Sequence, residues 1–119
     1  MYQFPYERLN VWKESMLLIK EVYQAIIKFP KSEDYALKSQ LKRAVVSVTS
    51  NIAEGSARLS PKQQAYFFQM AYGSLIEVNC QLQIAVSLGY LEEESYKSLR
   101  EHIRQISSQL SALRNRQFK

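Results

Sequence analysis

Apolar residues recur at intervals of three and four positions in four long segments of the chain, which is the spacing of one face of an α-helix. The most regular segment contains Tyr96, Leu99, Ile103, Ile106, Leu110 and Leu113. The first segment has this spacing at Leu9, Trp12, Met16, Ile19, Tyr23 and Ile26, and the second at Leu37, Leu41, Ala44, Val48 and Ile52. The pattern predicts helices over residues 7–28, 33–57, 61–88 and 92–114.

The breaks between these segments carry helix stop and start signals. Phe29-Pro30 ends the first helix, because proline disfavours helical backbone at the residue before it. Ser32 is a candidate N-cap for the second helix, and Ser60-Pro61 with Gln63 predicts an N-capped start of the third. Gly89 ends the third helix, whereas Gly55 is either a terminal glycine or a small residue inside the second. Short connections predict an all-α, antiparallel up-down-up-down four-helix bundle, formed as one domain by residues 1–119.

Composition narrows the class of protein. The chain has 119 residues, is 46% hydrophobic and contains a single cysteine, Cys80, which we expect to be a buried and inert thiol. One cysteine excludes an intramolecular disulfide and a cysteine-based metal site. The sequence lacks both an apolar run of 18 residues and a secretory leader, so we expect a cytoplasmic protein that does not enter the membrane.

Charge is nearly absent from the third predicted helix. Between Gln63 and Leu91 the only charged residue is Glu77, and residues 44–53 contain none. A large exposed apolar surface usually marks an interface, so this band predicts homo-oligomerisation. Candidate interface residues are Tyr66, Phe68, Tyr72 and Ile76. The alternative is that this helix is simply the most buried of the four.

A polar stripe follows one face of the second predicted helix at Arg43, Ser47, Asn51, Glu54 and Arg58. In an antiparallel hairpin it lies opposite Gly73, Ser74 and Glu77 of the third. We therefore predict a buried ion pair between Arg43 and Glu77, and a close approach of the two backbones at Gly73. The favoured interpretation is an internal polar network of Arg43, Ser47, Asn51, Glu54, Ser74 and Glu77. The other is a ligand or catalytic site formed by Asn51, Glu54 and Arg58.

Catalytic motifs are missing from the sequence. It has no nucleophile with a base and an orienting group, no glycine-rich phosphate loop and no Glu-x-x-His pattern. The single histidine, His102, lies at the edge of the fourth apolar stripe and is expected at the surface. We therefore expect a protein that is not an enzyme and that has neither a cofactor nor a metal.

Basic residues exceed acidic ones, and the net charge is +5. The candidates for contacts with nucleic-acid phosphates are Lys38, Lys42, Arg58, Lys62, Arg104, Arg114 and Arg116. The competing interpretation is an ordinary solvated surface. In an oligomer each basic patch would be repeated, and the repeated patches would create a strong field that attracts RNA or DNA.

Several stretches resemble a known family. They are Ala36-Leu37-x-x-Gln40-Leu41-x-Arg43-Ala44-x-x-Ser47-Val48, the distinctive Ser50-Asn51-Ile52-Ala53-Glu54-Gly55 with Arg58, and Ala71-x-Gly73-Ser74-x-x-Glu77. Leu9-x-x-Trp12 and Phe29-Pro30 also fit. The sequence is similar to the four-helix bundle proteins called 23S rRNA intervening-sequence or S23-type proteins, many of which are encoded within insertions in bacterial 23S rRNA genes.

The resemblance implies a bundle that assembles into a ring-like homopentamer. It also implies similarity to the accessory variability protein of diversity-generating retroelements, a basic pentameric bundle that binds nucleic acid and a reverse transcriptase. No settled activity comes with the family. The leading hypothesis is a non-enzymatic oligomeric protein that binds nucleic acid, and the alternative is a scaffold or adaptor that binds a partner protein.

Overall fold

A computed structural model of the protein describes residues 1–116 and contains four long helices. They are α1 (Asn10–Ile26), α2 (Leu37–Ser56), α3 (Pro61–Ser87) and α4 (Glu93–Arg116). Short 3-10 helices at Pro5–Arg8 and Lys31–Glu33 precede α1 and α2. Residues 1–116 contain no strand, so the predicted all-α class is confirmed.

Each helix packs against the helices before and after it, and α1 also packs against α4. Side-chain hydrogen bonds across neighbouring helices fix the antiparallel register. They join Thr49 to Ser15, Ser47 to Ser74, Tyr96 to Asn79 and Asn10 to Gln109. Within the described residues the diagonal pairs, α1 with α3 and α2 with α4, bring no two Cα atoms within 8 Å of each other. The predicted up-down-up-down bundle is therefore confirmed, and α1 and α3 begin at one end of it, here called the N-terminal end.

Two helices begin later than their periodicity predicts. Leu9 is extended, so α1 starts at Asn10 rather than residue 7. Ala36 is not helical, so α2 starts at Leu37 rather than residue 33. The predicted N-cap Ser32 lies inside a 3-10 helix, and the Glu33 carboxylate instead accepts a hydrogen bond from the Leu37 amide at 3.3 Å.

The third helix has the termini that its sequence predicts. At its start, the Ser60 hydroxyl accepts a hydrogen bond from the Gln63 amide at 3.0 Å. Just beyond its end, Gly89 adopts a φ of 80°, a conformation that favours glycine. These two signals are local, which explains why the sequence was sufficient to locate them.

The predicted apolar stripes of α2 and α4 form the core together with inward residues of α1 and α3. The stripe predicted for α1, however, was wrong by one position, because Met16 and Tyr23 are exposed. The buried residues of α1 are Val11, Ser15, Leu18, Val22 and Ile26. Ser15 is tolerated inside because its hydroxyl donates to the Trp12 carbonyl at 2.7 Å and accepts from Thr49 at 2.9 Å.

The glycines within α2 and α3 have opposite surroundings. A Cβ atom on Gly55 would lie 2.7 Å from Cε1 of Phe68, so the close approach occurs here, inside α2. A Cβ atom on Gly73 would meet nothing within 4 Å, so the predicted close approach at Gly73 was wrong. Phe68 is buried against Gly55, and its assignment to an outward interface was therefore also wrong.

Candidate functional site

Part of the predicted polar network lies in the groove between α2 and α3. The Ser47 and Ser74 hydroxyls are 2.9 Å apart. The Asn51 amide group donates to the Ser47 carbonyl at 2.9 Å and to its hydroxyl at 3.0 Å. All three side chains are half-buried, so these mutual bonds satisfy polar groups that water reaches only in part.

Arg43 and Glu77 line one small recess in this groove, of about 280 Å³, together with Gln40, Ala44 and Ser47. Both residues are exposed, and no ion pair joins them among residues 1–116. The predicted buried ion pair was therefore wrong. Water solvates each charge at the rim, so neither requires the other.

The remaining members of the stripe lie near the end of α2. The Arg58 guanidinium pairs with the Glu54 carboxylate at 2.5 Å and lies over the Phe67 ring, 4.7 Å from its centroid. Asn51 turns toward Ser47 instead, while Glu54 and Arg58 bind each other at the surface. The three side chains suggested as a ligand site are thus engaged in two separate interactions.

The outer surface of α3 exposes apolar side chains, whereas the outer face of a helix in a monomeric bundle usually carries charged ones. Tyr66 and Ile76 are exposed, as the interface hypothesis requires, whereas Tyr72 is half-buried beside Arg114. Further exposed apolar residues are Met70 and Ile84 on this helix and Leu88 directly after its end. Cys80 lies among them and is exposed, so the predicted buried thiol was wrong. With Val46 and Gly73, these residues form what we call the α2–α3 surface.

The seven candidate phosphate contacts are distributed over three places. Lys38 and Lys42 lie at the end of the bundle opposite the N-terminal end, and Arg104 lies midway along α4. The N-terminal end holds the other four, which are Arg58, Lys62, Arg114 and Arg116.

Acidic or aromatic neighbours already engage the cations outside the N-terminal end. A hydrogen bond from Lys38, at 2.7 Å, holds the pKa of the Asp34 carboxyl below its ordinary value. Lys42 lies over the Tyr23 ring. A hydrogen bond from Arg104 lowers the pKa of Glu101, and the same bond raises the pKa of Arg104. Arg58 is paired as well, but three of the four candidates that take part in no ion pair within residues 1–116 lie at the N-terminal end, namely Lys62, Arg114 and Arg116. This makes the N-terminal end the stronger candidate for binding phosphates.

Sequence reasoning missed one charged cluster, on the outside of α1 and α4. His102 of α4 lies between two carboxylates of α1, with Nε2 2.6 Å from Glu14 Oε2 and Nδ1 in contact with Glu21. Its side chain is mostly buried by these contacts, so it is less exposed than predicted. Glu14 and Glu21 are seven residues apart and therefore share a helix face, a signal that is visible once α1 and α4 are paired.

A model of the 23S rRNA-intervening sequence protein family matches residues 7–112. The chain belongs to this family. A crystal structure of a protein of unknown function from the S23 ribosomal protein family of Bacteroides thetaiotaomicron has the same fold, with a TM-score of 0.77 at 18% identity. The similarity covers 86% of this chain and 95% of that chain. A comparison with curated proteins gives no match.

The 23S rRNA-intervening sequence match contains the Ser47–Asn51–Ser74 network, the α2–α3 surface and two of the four cations at the N-terminal end, Arg58 and Lys62. It leaves out the first six residues, three of which are aromatic. Among residues 1–116, no group of three or more acidic, histidine or cysteine side chains is placed to hold a metal ion. No helix in this part of the chain is long and apolar enough to cross a membrane.

Proposed function

We propose that this member of the 23S rRNA-intervening sequence family is a non-enzymatic, cytoplasmic homo-oligomer that binds nucleic acid through repeated basic patches. The observation that carries the proposal is the α2–α3 surface, which exposes apolar side chains over the length of α3. An exposed apolar patch leaves water only when a partner covers it, and the family resemblance favours a copy of the same chain as that partner.

Gly73 adds a second argument for assembly. Glycine inside a helix costs about 1 kcal/mol relative to alanine, and a Cβ atom at Gly73 would meet no side chain of residues 1–116 within 4 Å. A neighbouring copy that approaches the α3 backbone closely would explain why no side chain stands there. The family resemblance favours five copies in a ring, and closed symmetry keeps such a surface from forming open filaments.

The mass of the particle in solution tests this part of the proposal. We expect the native chain to elute as a multiple of one chain in size-exclusion chromatography with light scattering, with five copies expected from the resemblance. Met70→Lys on α3 should dissociate it, because a charge would be buried between copies. Leu17→Lys on α1 is the matched control, since Leu17 is 50% exposed and Met70 46%.

The expected pattern is a monomeric Met70→Lys variant and a Leu17→Lys variant that keeps the native mass, both with native helicity by circular dichroism. A native chain with the mass of one copy would contradict the oligomer. Equal masses for all three chains, above one copy, would place the interface on a different surface.

Nucleic-acid binding is the second part of the proposal and is supported by the N-terminal end. Its cations Lys62 and Arg116 have no carboxylate within ion-pair distance among residues 1–116, so they are available to phosphates. Gel-shift titrations with RNA and DNA should show affinity that falls steeply as salt rises, because bound phosphates release counterions. Absence of a shift even at low salt would reject this part and leave the oligomer standing.

The alternative function is a scaffold or adaptor that binds a partner protein and no nucleic acid. The same α2–α3 surface favours it, because exposed apolar side chains bind proteins of many kinds. A protein that co-purifies with the native chain through nuclease treatment and high salt, and is lost from the Met70→Lys variant, would support this alternative.

A further inference from the structure

Four aromatic rings lie in series at the N-terminal end, and we call them the aromatic row. Tyr2 meets Phe4 edge to face with centroids 5.0 Å apart, and Phe4 lies nearly parallel to Tyr6 at 6.2 Å. Tyr6 then meets Trp12 of α1 at 5.1 Å. Trp12 packs on the core, so the row is anchored at its inner end and projects outward from there.

The outer half of the row is held in place although it remains in water. Tyr2 is 73% exposed and Phe4 is 54% exposed. Glu7 accepts a hydrogen bond from the Phe4 amide at 3.0 Å, and Gln3 accepts one from Arg8 at 3.2 Å. These local bonds hold the Tyr2 and Phe4 rings in place while both remain exposed to solvent. The row is thus a preformed aromatic surface.

Cations lie at the same end of the bundle as this surface. The antiparallel register brings together Arg8, Lys13, Arg58, Lys62, Arg114 and Arg116 at the N-terminal end. Three acids lie close in sequence to these cations, and each is engaged: Glu7 accepts from the Phe4 amide, Glu14 contacts His102, and Glu54 pairs with Arg58. A mainly apolar groove of about 330 Å³ between α1 and α4 runs from Leu9 to Arg116 and continues the row toward α4.

We propose that the aromatic row and these cations form a binding site for single-stranded nucleic acid. Unpaired bases stack on Tyr2 and Phe4, while Lys13, Arg116 and their neighbours hold the phosphates. A duplex hides the faces of its bases, so the exposed rings favour an unpaired strand. Every base has a stacking face, so binding here depends little on sequence. The inference rests on the nucleic-acid binding proposed above, for which it names the site and the kind of strand.

The test compares a fluorescein-labelled oligouridine of about 15 nucleotides with a duplex of equal length, each titrated by fluorescence anisotropy with the full chain. The variant is Tyr2→Ala with Phe4→Ala, and the control is Tyr35→Ala. Tyr35 is 99% exposed at the opposite end and also has lysines nearby, Lys38 and Lys42. It therefore matches the row in exposure and charge but not in position.

We expect the double variant to bind the single strand roughly tenfold or more weakly, with Tyr35→Ala and the native chain equal. Duplex binding should be weaker than single-strand binding in the native chain and unchanged in the variant. Circular dichroism should show native helicity, because neither mutated ring belongs to the core.

Three results would overturn the inference. Equal affinity of the double variant and the native chain would reject the aromatic site and leave the proposed nucleic-acid binding intact. A double variant that changes in mass but not in affinity would make the row a contact between copies. A native chain that binds neither probe at low salt would reject the site and the proposed binding together.

Discussion

The outer surface of α1 and α4 differs in kind from that of α2 and α3. On the first, side chains of the two helices contact each other, as in the Glu14–His102–Glu21 cluster, where the imidazole of α4 lies between two carboxylates of α1. On the second, apolar side chains face outward, and no ion pair within residues 1–116 includes Arg43 or Glu77. Yet both surfaces flank the same core.

The difference indicates which of the two surfaces a second molecule would cover. The α1–α4 surface joins its two helices through contacts between its own side chains, although it also exposes Leu17. The α2–α3 surface exposes apolar side chains over the length of α3, and no ion pair within residues 1–116 includes Arg43 or Glu77, as expected of a surface that a second molecule covers. Substitutions on the two surfaces should therefore have different effects on stability and on assembly.

The largest change in stability among three surface substitutions is expected for His102→Ala. It removes both contacts that connect α4 to Glu14 and Glu21, and hydrogen bonds to charged groups are worth more than neutral ones. We expect the free energy of unfolding to fall by about 1–2 kcal/mol in urea titrations. Lys97→Ala, which removes an exposed 3.5 Å pair with Glu94, should change it far less. Equal effects of the two substitutions would show that the cluster adds nothing beyond an ordinary surface pair.

Gly73→Ala is expected to change the free energy of unfolding by an intermediate amount and in the opposite direction, toward greater stability. In the Met70→Lys background, which isolates single chains, alanine should raise the free energy of unfolding by up to about 1 kcal/mol through its helix propensity. Gly55→Ala is the contrasting variant and should destabilise, because the added methyl group meets Phe68. If Gly73→Ala also weakens assembly of the otherwise native chain, the open space at Gly73 is filled by a neighbouring copy.

The smallest change in the free energy of unfolding is expected for Glu77→Ala. Because Glu77 is exposed and belongs to no ion pair in the described part of the chain, its removal should change the unfolding free energy of the isolated chain by less than about 0.5 kcal/mol. Urea titration in the Met70→Lys background measures this directly. A loss of several kcal/mol would instead indicate that Glu77 has a buried partner, which was the prediction made from the sequence.

The fold was largely predictable because helix periodicity and termini are local properties. The stripes of α2 and α4, the Ser60 cap and the Gly89 terminus all follow from residues close together in the sequence. The stripe of α1 was misplaced because Ser15 is polar, and what makes its burial favourable is a hydrogen bond from Thr49 on another helix. Periodicity alone gave no reason to place a serine in the core.

The candidate site was predicted only in part, because its contacts join helices that are distant in sequence. The Ser47–Ser74 contact followed correctly from the hairpin register of α2 and α3. The same register places Arg43 and Glu77 at one recess but does not reveal whether they point inward. The Glu14–His102–Glu21 cluster requires the pairing of the first helix with the last, which no local pattern encodes.

The exposed thiol of Cys80 allows the α2–α3 surface to be labelled chemically. It is the chain's single cysteine, so a maleimide label attaches at one defined position on α3. Its rate of modification therefore reports how much of the time this part of the helix is uncovered. The same atom then carries a fluorophore or a spin label for measuring distances between copies, without any residue having to be introduced.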